Sequence, residues 1–257
     1  MRKDMRDLTV LIPVRIESLA RLENLLAVVG YLGENFDLGV MVLEASARNS
    51  NILPRLLPAS VDYTFVQDDD PVFYRTRYIN RMALAARTEY LAVWDADVVF
   101  PVSQVCSALE MLRSGKADFA YPYDGVFLDT SELIRQMFLE TGDVGMLGEL
   151  RPYMTSPYGS EMRGGAFLAN RQAYIASGME NERFYGWSPE DWERYERWAN
   201  LGLRVEAVDG VLFHLTHPRD MNGRYNSDGQ MKVTVTEKDR IRFSSAEEIR
   251  QHLNLKS

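Results

Sequence analysis

Disulfide chemistry is excluded first, because the 257 residues contain one cysteine, Cys106. No internal bridge can form, a reducing compartment is expected, and Cys106 reads as a small buried hydrophobe. Histidine is nearly as scarce: there are three, and two of them form the pair His214 and His217. Basic charge is in deficit, with 29 Lys and Arg against 37 Asp and Glu for a net charge of −8. That argues against a nucleic-acid partner, whose backbone would want a basic face, and no polybasic patch suggests a membrane surface. Long hydrophobic runs are missing too. The first apolar stretch, Leu8 to Val14, follows the charged segment Met1 to Asp7 and is too short for a signal region or a bilayer span. A cytoplasmic protein without a membrane span is the expectation. The chain also lacks internal repeats and low-complexity segments. It does have 46% apolar residues, enough for the core of one large domain, or of one domain with a small appendage.

Strands alternate with helices through the first half. Leu8 to Ile12 reads as a buried strand stopped by Pro13, and Ser18 to Leu32 has helical spacing. Leu38 to Leu43 is a second strand, ending at Glu44, and Val61 to Val66 a third. A helix over Arg75 to Arg87 leads to a strand at Tyr90 to Trp94. Another helix, Val102 to Arg113, precedes a strand at Phe119 to Tyr123. This alternation implies βαβ units and a largely parallel sheet. Gly142 to Gly159 lacks periodicity and reads as a long loop. Pro189 to Leu201 is a strong amphipathic helix, followed by strands at Leu203 to Val208 and Val211 to Phe213. Asn222 to Gly229 is polar and turn-like, and Ser244, Ser245, Glu247 and Glu248 open a last short helix.

Asp95-Ala96-Asp97 closes the apolar run Tyr90 to Trp94. Two carboxylates just past a buried strand point at the crevice where open α/β sheets bind ligands, and oxygen ligands there suit a hard divalent cation that can hold a diphosphate. A second acidic run, Asp68-Asp69-Asp70, has no strand leading into the crevice and reads as a solvated turn. Gly164-Gly165 allows close approach of backbone to a ligand, or is a plain turn before a strand. In Tyr185-Gly186-Trp187-Ser188-Pro189-Glu190-Asp191, Ser188 is the natural N-cap and Pro189 the first helical residue. Glu190 and Asp191 then either complement the helix dipole or present a carboxylate at a site mouth beside an aromatic plate, Trp187. His214-Leu215-Thr216-His217 can converge on one metal if it lies on a turn, or one ring packs while the other is exposed. His252 reads as solvated. Arg15 and Arg75 stand where a diphosphate would need positive charge, although surface charge is the ordinary role of arginine.

Taken in order, these pieces resemble the β-1,4-galactosyltransferase family and its relatives, the polypeptide N-acetylgalactosaminyltransferases and bacterial chondroitin-type polymerases. Ile12-Pro13-Val14-Arg15 resembles the first-strand I-P-x-R. Phe73 to Asn80 resembles F-N-R-A-x-x-x-N, with Tyr74 in place of Asn. Gly164-Gly165, Tyr185-Gly186-Trp187 and Glu190-Asp191 resemble G-G…W-G-W-G-x-E-D, with Tyr185 replacing Trp. His217 matches the family's histidine metal ligand and His214 its methionine position. The resemblance, over residues 11–220, implies an α/β protein of GT-A (nucleotide-diphospho-sugar transferase) fold, with a Rossmann-like, mostly parallel central sheet flanked by helices. It implies one domain over 1–257: a nucleotide-binding half (8–125), an acceptor and metal half (126–220) and a C-terminal tail (221–257).

The activity implied is transfer of a hexose or N-acetylhexosamine, of galactose or GalNAc type, from a UDP-sugar donor to a saccharide or glycoconjugate acceptor. Pro13, Arg15, Glu44, Arg75, Asp95, Asp97 and Gly165 are expected at the nucleotide-sugar, and Trp187 and Tyr185 at the acceptor. Asp97, His217 and His214 are the expected ligands of Mn²⁺ (or Mg²⁺), imidazole favouring Mn²⁺. Asp191 is the expected general base for inverting transfer, with Glu190 holding sugar hydroxyls. Alternatives are a retaining GalNAc-type transferase, a nucleotidyltransferase and a silent nucleotide-sugar-binding protein. The absence of glycine in Arg15-Ile16-Glu17-Ser18 speaks against the nucleotidyltransferase, and the retained acids and histidines speak against the silent protein.

Overall fold

The computed structural model describes residues 1–218 and 221–255; the segment limits drawn above at 220 and 257 lie outside the described residues. The chain runs β1 (Lys3–Val14), α1 (Leu19–Asn35), β2 (Phe36–Ser46), α2 (Leu53–Leu56), β3 (Val61–Gln67), α3 (Arg75–Ala85) and β4 (Tyr90–Trp94). It continues through β5 (Val98–Val99), α4 (Val102–Arg113), β6 (Phe119–Tyr121), β7 (Val126–Asp129), α5 (Glu132–Thr141), α6 (Val144–Glu149), β8 (Ala166–Asn170) and α7 (Arg171–Ala176). The last elements are α8 (Glu190–Asn200), β9 (Val205–Ala207), β10 (Val211–His214), α9 (Asp228–Phe243) and α10 (Ala246–His252).

Two sheets position the site. The larger has the order β3-β2-β1-β4-β8-β6-β9. Its first four strands are parallel, β8 runs antiparallel to both β4 and β6, and β6 is parallel to β9. Burial on both faces explains why β1 and β4 read as continuous apolar runs. The smaller sheet has the order β5-β10-β7, with β10 antiparallel to β5 and parallel to β7. Its register sets His214 opposite Val98 on one side and Asp129 on the other.

Several sequence expectations need correction. β1 begins at Lys3 and passes through Pro13, which pairs in register with Leu43. Pro13 is tolerated there because β4 pairs only with Leu8 to Leu11, so the β4 side of Pro13 needs no ladder donor. The segment after Gly142, expected to be a loop, contains α6, capped by Asp143. Of Asn222 to Gly229, expected to be turn-like, only the last two residues are α-helical: they open the 16-residue α9, capped by Ser227, over a stretch with no element expected from the sequence. The expected N-cap Ser188 does not cap α8: its hydroxyl oxygen lies 3.0 Å from the Gly186 carbonyl and 2.9 Å from a Glu190 carboxyl oxygen. Cys106 is half-buried. His252 is held by Glu237 at 2.8 Å, within reach of Arg183. The capping box at Ser245 and Glu248 opens α10, close to the predicted start.

α8 carries the Glu190-Asp191 pair and is anchored by an unusual buried face of Glu193, Arg194, Arg197 and Trp198. Buried charge must be paired to be tolerated. Arg194 meets Glu180 at 2.7 Å, and Arg197 meets Glu193, one turn back, at 2.9 Å. Trp198 lies flat on Phe119 at 3.7 Å and edge-on to Phe167 at 5.2 Å, which ties α8 to β6 and β8. Asn200 then donates to the carbonyls of Ile241 and Arg242, so α9 is fastened over α8. Trp198→Ala is expected to cost about 3–5 kcal/mol of stability. Denaturant titration checks this, and a loss below about 1 kcal/mol would show that the stack does not anchor α8.

Candidate active site

The carboxyl ends of β1 and β4 and the amino end of β8 open onto a cleft of about 410 Å³. β4 has a parallel neighbour on one side and an antiparallel one on the other, so the chain leaves the sheet in opposite senses and opens a crevice. The last ladder pair, Trp94 with Ala166, sets Asp95 beside Gly165, and the Asp95 N–H donates to the Gly165 carbonyl at 2.8 Å.

At one corner Asp97, His214 and His217 bring their ligand atoms within 4.8 Å of one another. The His217 Nε2 is 3.0 Å from one Asp97 oxygen and the His214 Nε2 is 3.8 Å from the other. Both outer ring nitrogens are committed to acceptors: His214 Nδ1 to Asp129 at 2.8 Å and His217 Nδ1 to the Pro218 carbonyl at 2.9 Å. A neutral imidazole that donates from Nδ1 keeps a bare lone pair on Nε2. Two such lone pairs facing a carboxylate require a cation or a proton between them. The turn is pinned by backbone bonds: Leu215 N–H to the Asp97 carbonyl at 2.7 Å, and Asn24 to the Leu215 carbonyl at 2.7 Å. Burial alone would push the Asp97 carboxyl up, but His214 and then His217 hold it well below the usual carboxylate range. One carboxylate and two imidazoles with outer-nitrogen acceptors fit a divalent transition ion.

Gly164 and Gly165 are required for separate reasons. A Cβ on Gly164 would sit 2.6 Å from Asp191 Oδ2. Gly165 has φ +84°, and a Cβ there would meet Leu212 at 2.3 Å. Asp191 Oδ1 accepts from buried Arg194 at 2.5 Å, so the other oxygen, beside Gly164, has no partner among the described residues. Arg75 donates to Asp95 at 2.6 Å, while its Nη1 is buried without an acceptor. Burial pushes the Asp95 carboxyl up, and Arg75 opposes that shift.

The cleft also takes in Pro13, Trp187 and Glu190. Arg15 lines it with its donors already engaged by the carbonyls of Ala45, Asp70 and Pro71 and by the Asp68 carboxylate. Asp68 and Asp70 are thus not a solvated turn, since the Tyr78 hydroxyl also donates to Asp68 and the Tyr185 hydroxyl to Asp70. Two expected site residues lie outside the lining. Glu44 is buried and accepts from the Tyr63 hydroxyl at 2.6 Å, and Tyr185 spends its hydroxyl on Asp70 at 2.6 Å. Asp129 and Glu180, which support the site from behind, had no signal in the sequence. Arg194 did have one, as a cation three residues beyond Asp191 on a helix.

Residues 149–220 match a family model described as the N-terminal domain of galactosyltransferase. No curated protein matches the chain in sequence. Among solved structures, the chain is similar to glucosyl-3-phosphoglycerate synthase from Mycobacterium tuberculosis in complex with Mn²⁺, UDP and phosphoglyceric acid. That match has 14% identity and a TM-score of 0.52, and covers 98% of this chain and 80% of the other. The same enzyme with Mg²⁺ and UDP matches at 16% identity and a TM-score of 0.51, over 83% and 73% of the two chains. A Drosophila β-1,4-galactosyltransferase 7 variant, in complex with manganese, UDP-Gal and xylobiose, matches at 14% identity and a TM-score of 0.53, over 90% and 79%. The chain has the GT-A fold. The expected architecture, a mostly parallel central sheet flanked by helices, is therefore the observed one. Among the described residues of this GT-A protein, no helix is long and apolar enough to cross a membrane.

Glu190 gives this GT-A cleft a pH signature. Burial, with Asp191 as neighbour, pushes its carboxyl from 4.5 up to about 8, against the pull of Arg75 and a bond from Ser188. The folded protein thus keeps a proton that the unfolded chain releases. This group favours the fold at pH below the unfolded value and loses that contribution as pH rises through the folded one. Glu190→Gln, which cannot ionise, is expected to melt a few degrees above wild type at about pH 9 and level with it at about pH 4.5. Melting curves at both pH values check this. An equal difference at both would mean that Glu190 ionises as an ordinary surface carboxylate.

Proposed function

We propose that the protein is a metal-dependent glycosyltransferase that moves a hexose or N-acetylhexosamine, of galactose or GalNAc type, from a UDP-sugar to a saccharide acceptor with inversion. The observation that carries this reading is one cleft holding both a cation-ready corner (Asp97, His214, His217) and a partly exposed carboxylate with a spare oxygen (Asp191). The galactosyltransferase match over residues 149–220 spans Gly164-Gly165, Glu190-Asp191 and both histidines, which supports it further. So do the UDP and Mn²⁺ or Mg²⁺ named for the similar structures.

Breaking the donor's bond to a diphosphate leaves negative charge on the leaving group. A Mn²⁺ ion held by Asp97, His214 and His217 would supply Lewis-acid stabilisation of that charge. Arg75, with Nη1 unsatisfied, is placed to donate to a donor oxygen while Asp95 holds its other nitrogen. Asp191 takes the proton of the attacking hydroxyl on Oδ2, because Arg194 fixes Oδ1. Glu190, its carboxyl pushed up by desolvation and by Asp191, can in its protonated form donate to a sugar oxygen, where a carboxylate could only accept. Trp187 offers an aromatic wall, braced edge-to-face by Tyr225 at 4.8 Å.

Two measurements test this. Calorimetry with UDP is expected to give tight binding with Mn²⁺ and weak binding without it; equal affinity in both conditions contradicts the metal assignment. Asp191→Asn is expected to keep Mn²⁺-dependent UDP binding and to lower transfer by ~10²-fold or more. Normal turnover with a lowered melting temperature would instead mean that Asp191 serves only the helix dipole, an effect of ~0.3–1 kcal/mol.

A further inference from the structure

Among the described residues, four arginines line the cleft: Arg15, Arg21, Arg75 and Arg163. Arg15 is ion-paired with Asp68 and Arg75 with Asp95. Arg163 has no carboxylate partner among the described residues, although the protein is strongly acidic. Its guanidinium lies 4.4 Å from the Tyr195 ring centre and 5.8 Å from those of Trp192 and Tyr121. Its Nε is buried without an acceptor, and its Nη1 has only the carbonyl of neighbouring Met162, at 3.5 Å.

Ring faces hold a guanidinium by its charge and leave the in-plane N–H donors unused. A side chain needed only for packing would not require an arginine here, because a buried donor without an acceptor costs free energy. The aromatic cage fixes the fork in a site from which water is partly excluded, where an opposite charge is bound more strongly. Chain position decides what the site would serve. Arg163 immediately precedes Gly164, whose missing side chain makes room for Asp191 Oδ2, which a Cβ there would meet at 2.6 Å. An anion on Arg163 would therefore lie on the same side of the cleft as the proposed base.

We propose that Arg163 is an acceptor-recognition residue and that the acceptor is acidic, carrying a carboxylate or phosphate close to the hydroxyl that receives the sugar. This deepens the glycosyltransferase reading and rests on it for the word acceptor. The planar fork of arginine accepts either oxyanion in bidentate fashion, and the two sources are separated by experiment.

The test is equilibrium binding to the protein with Mn²⁺ and UDP, using methyl β-glucoside, methyl β-glucuronide and the 6-phosphate of methyl β-glucoside. The wild type is expected to bind one or both acidic ligands at least ~10-fold more tightly than the neutral one. In Arg163→Gln that acidic-to-neutral ratio should fall toward one. Arg163→Lys, which keeps the charge and loses the fork, should retain part of it. A carboxylate preference and a phosphate preference appear as different winners in the wild type. Equal affinity for neutral and acidic ligands in the wild type, or an acidic preference that survives in a folded Arg163→Gln, overturns the proposal. UDP affinity is measured separately on the wild type: its absence would end the glycosyltransferase reading, while the ligand ratio still decides whether Arg163 selects an anion.

Discussion

Asp97 is confronted by two imidazoles whose outer nitrogens are already spent, and the rest of the site depends on that arrangement. His214 is oriented by Asp129 and His217 by the Pro218 carbonyl, so each turns Nε2 toward the same carboxylate. Three Lewis-basic atoms within 4.8 Å do not tolerate one another without positive charge among them. The backbone prevents them from separating. β10 is clamped between β5 and β7, and the turn after His214 is tied to Asp97 and to Asn24 on α1. The smaller sheet thus serves to hold this corner against the end of β4.

A second polar cluster builds the other wall. Glu180 holds Arg194, and Arg194 holds Asp191, with Arg194 almost fully buried. The Tyr174 hydroxyl donates to the second oxygen of Glu180, so the cluster is supported from β8's following helix, α7. Such a network is costly to bury and strongly destabilising to break on one side only. What it provides is a carboxylate fixed at one oxygen. The two clusters meet at Gly164-Gly165: Gly165 bonds the strand-end acid Asp95, and Gly164 gives Asp191 room.

Much of this was readable in advance because it is carried by local signals. The acids past β4, the paired glycines, the Glu190-Asp191 helix start and the spacing of His214 and His217 each follow from short-range chemistry, and α4 spans the predicted residues. What could not be read was partnership between distant segments. Nothing near Asp129 says that it will orient His214, 85 residues away. Asp68 and Asp70 look solvated until Arg15, Tyr78 and Tyr185 converge on them. Glu44 and Tyr185 sit at positions that suggest ligand contact, yet each finds a nearer partner. α9 is not legible in the sequence because its polar, weakly amphipathic stretch takes its place from packing on α8 and not from its own periodicity.

The central claim, that two imidazoles and Asp97 hold one divalent cation, is tested most directly by pulsed electron paramagnetic resonance of the Mn²⁺-loaded protein. Nitrogen couplings from directly bound imidazole are expected in the wild type, reduced in either His214→Ala or His217→Ala and absent when both are replaced. A Mn²⁺ spectrum without nitrogen coupling, unchanged by those substitutions, would contradict the account.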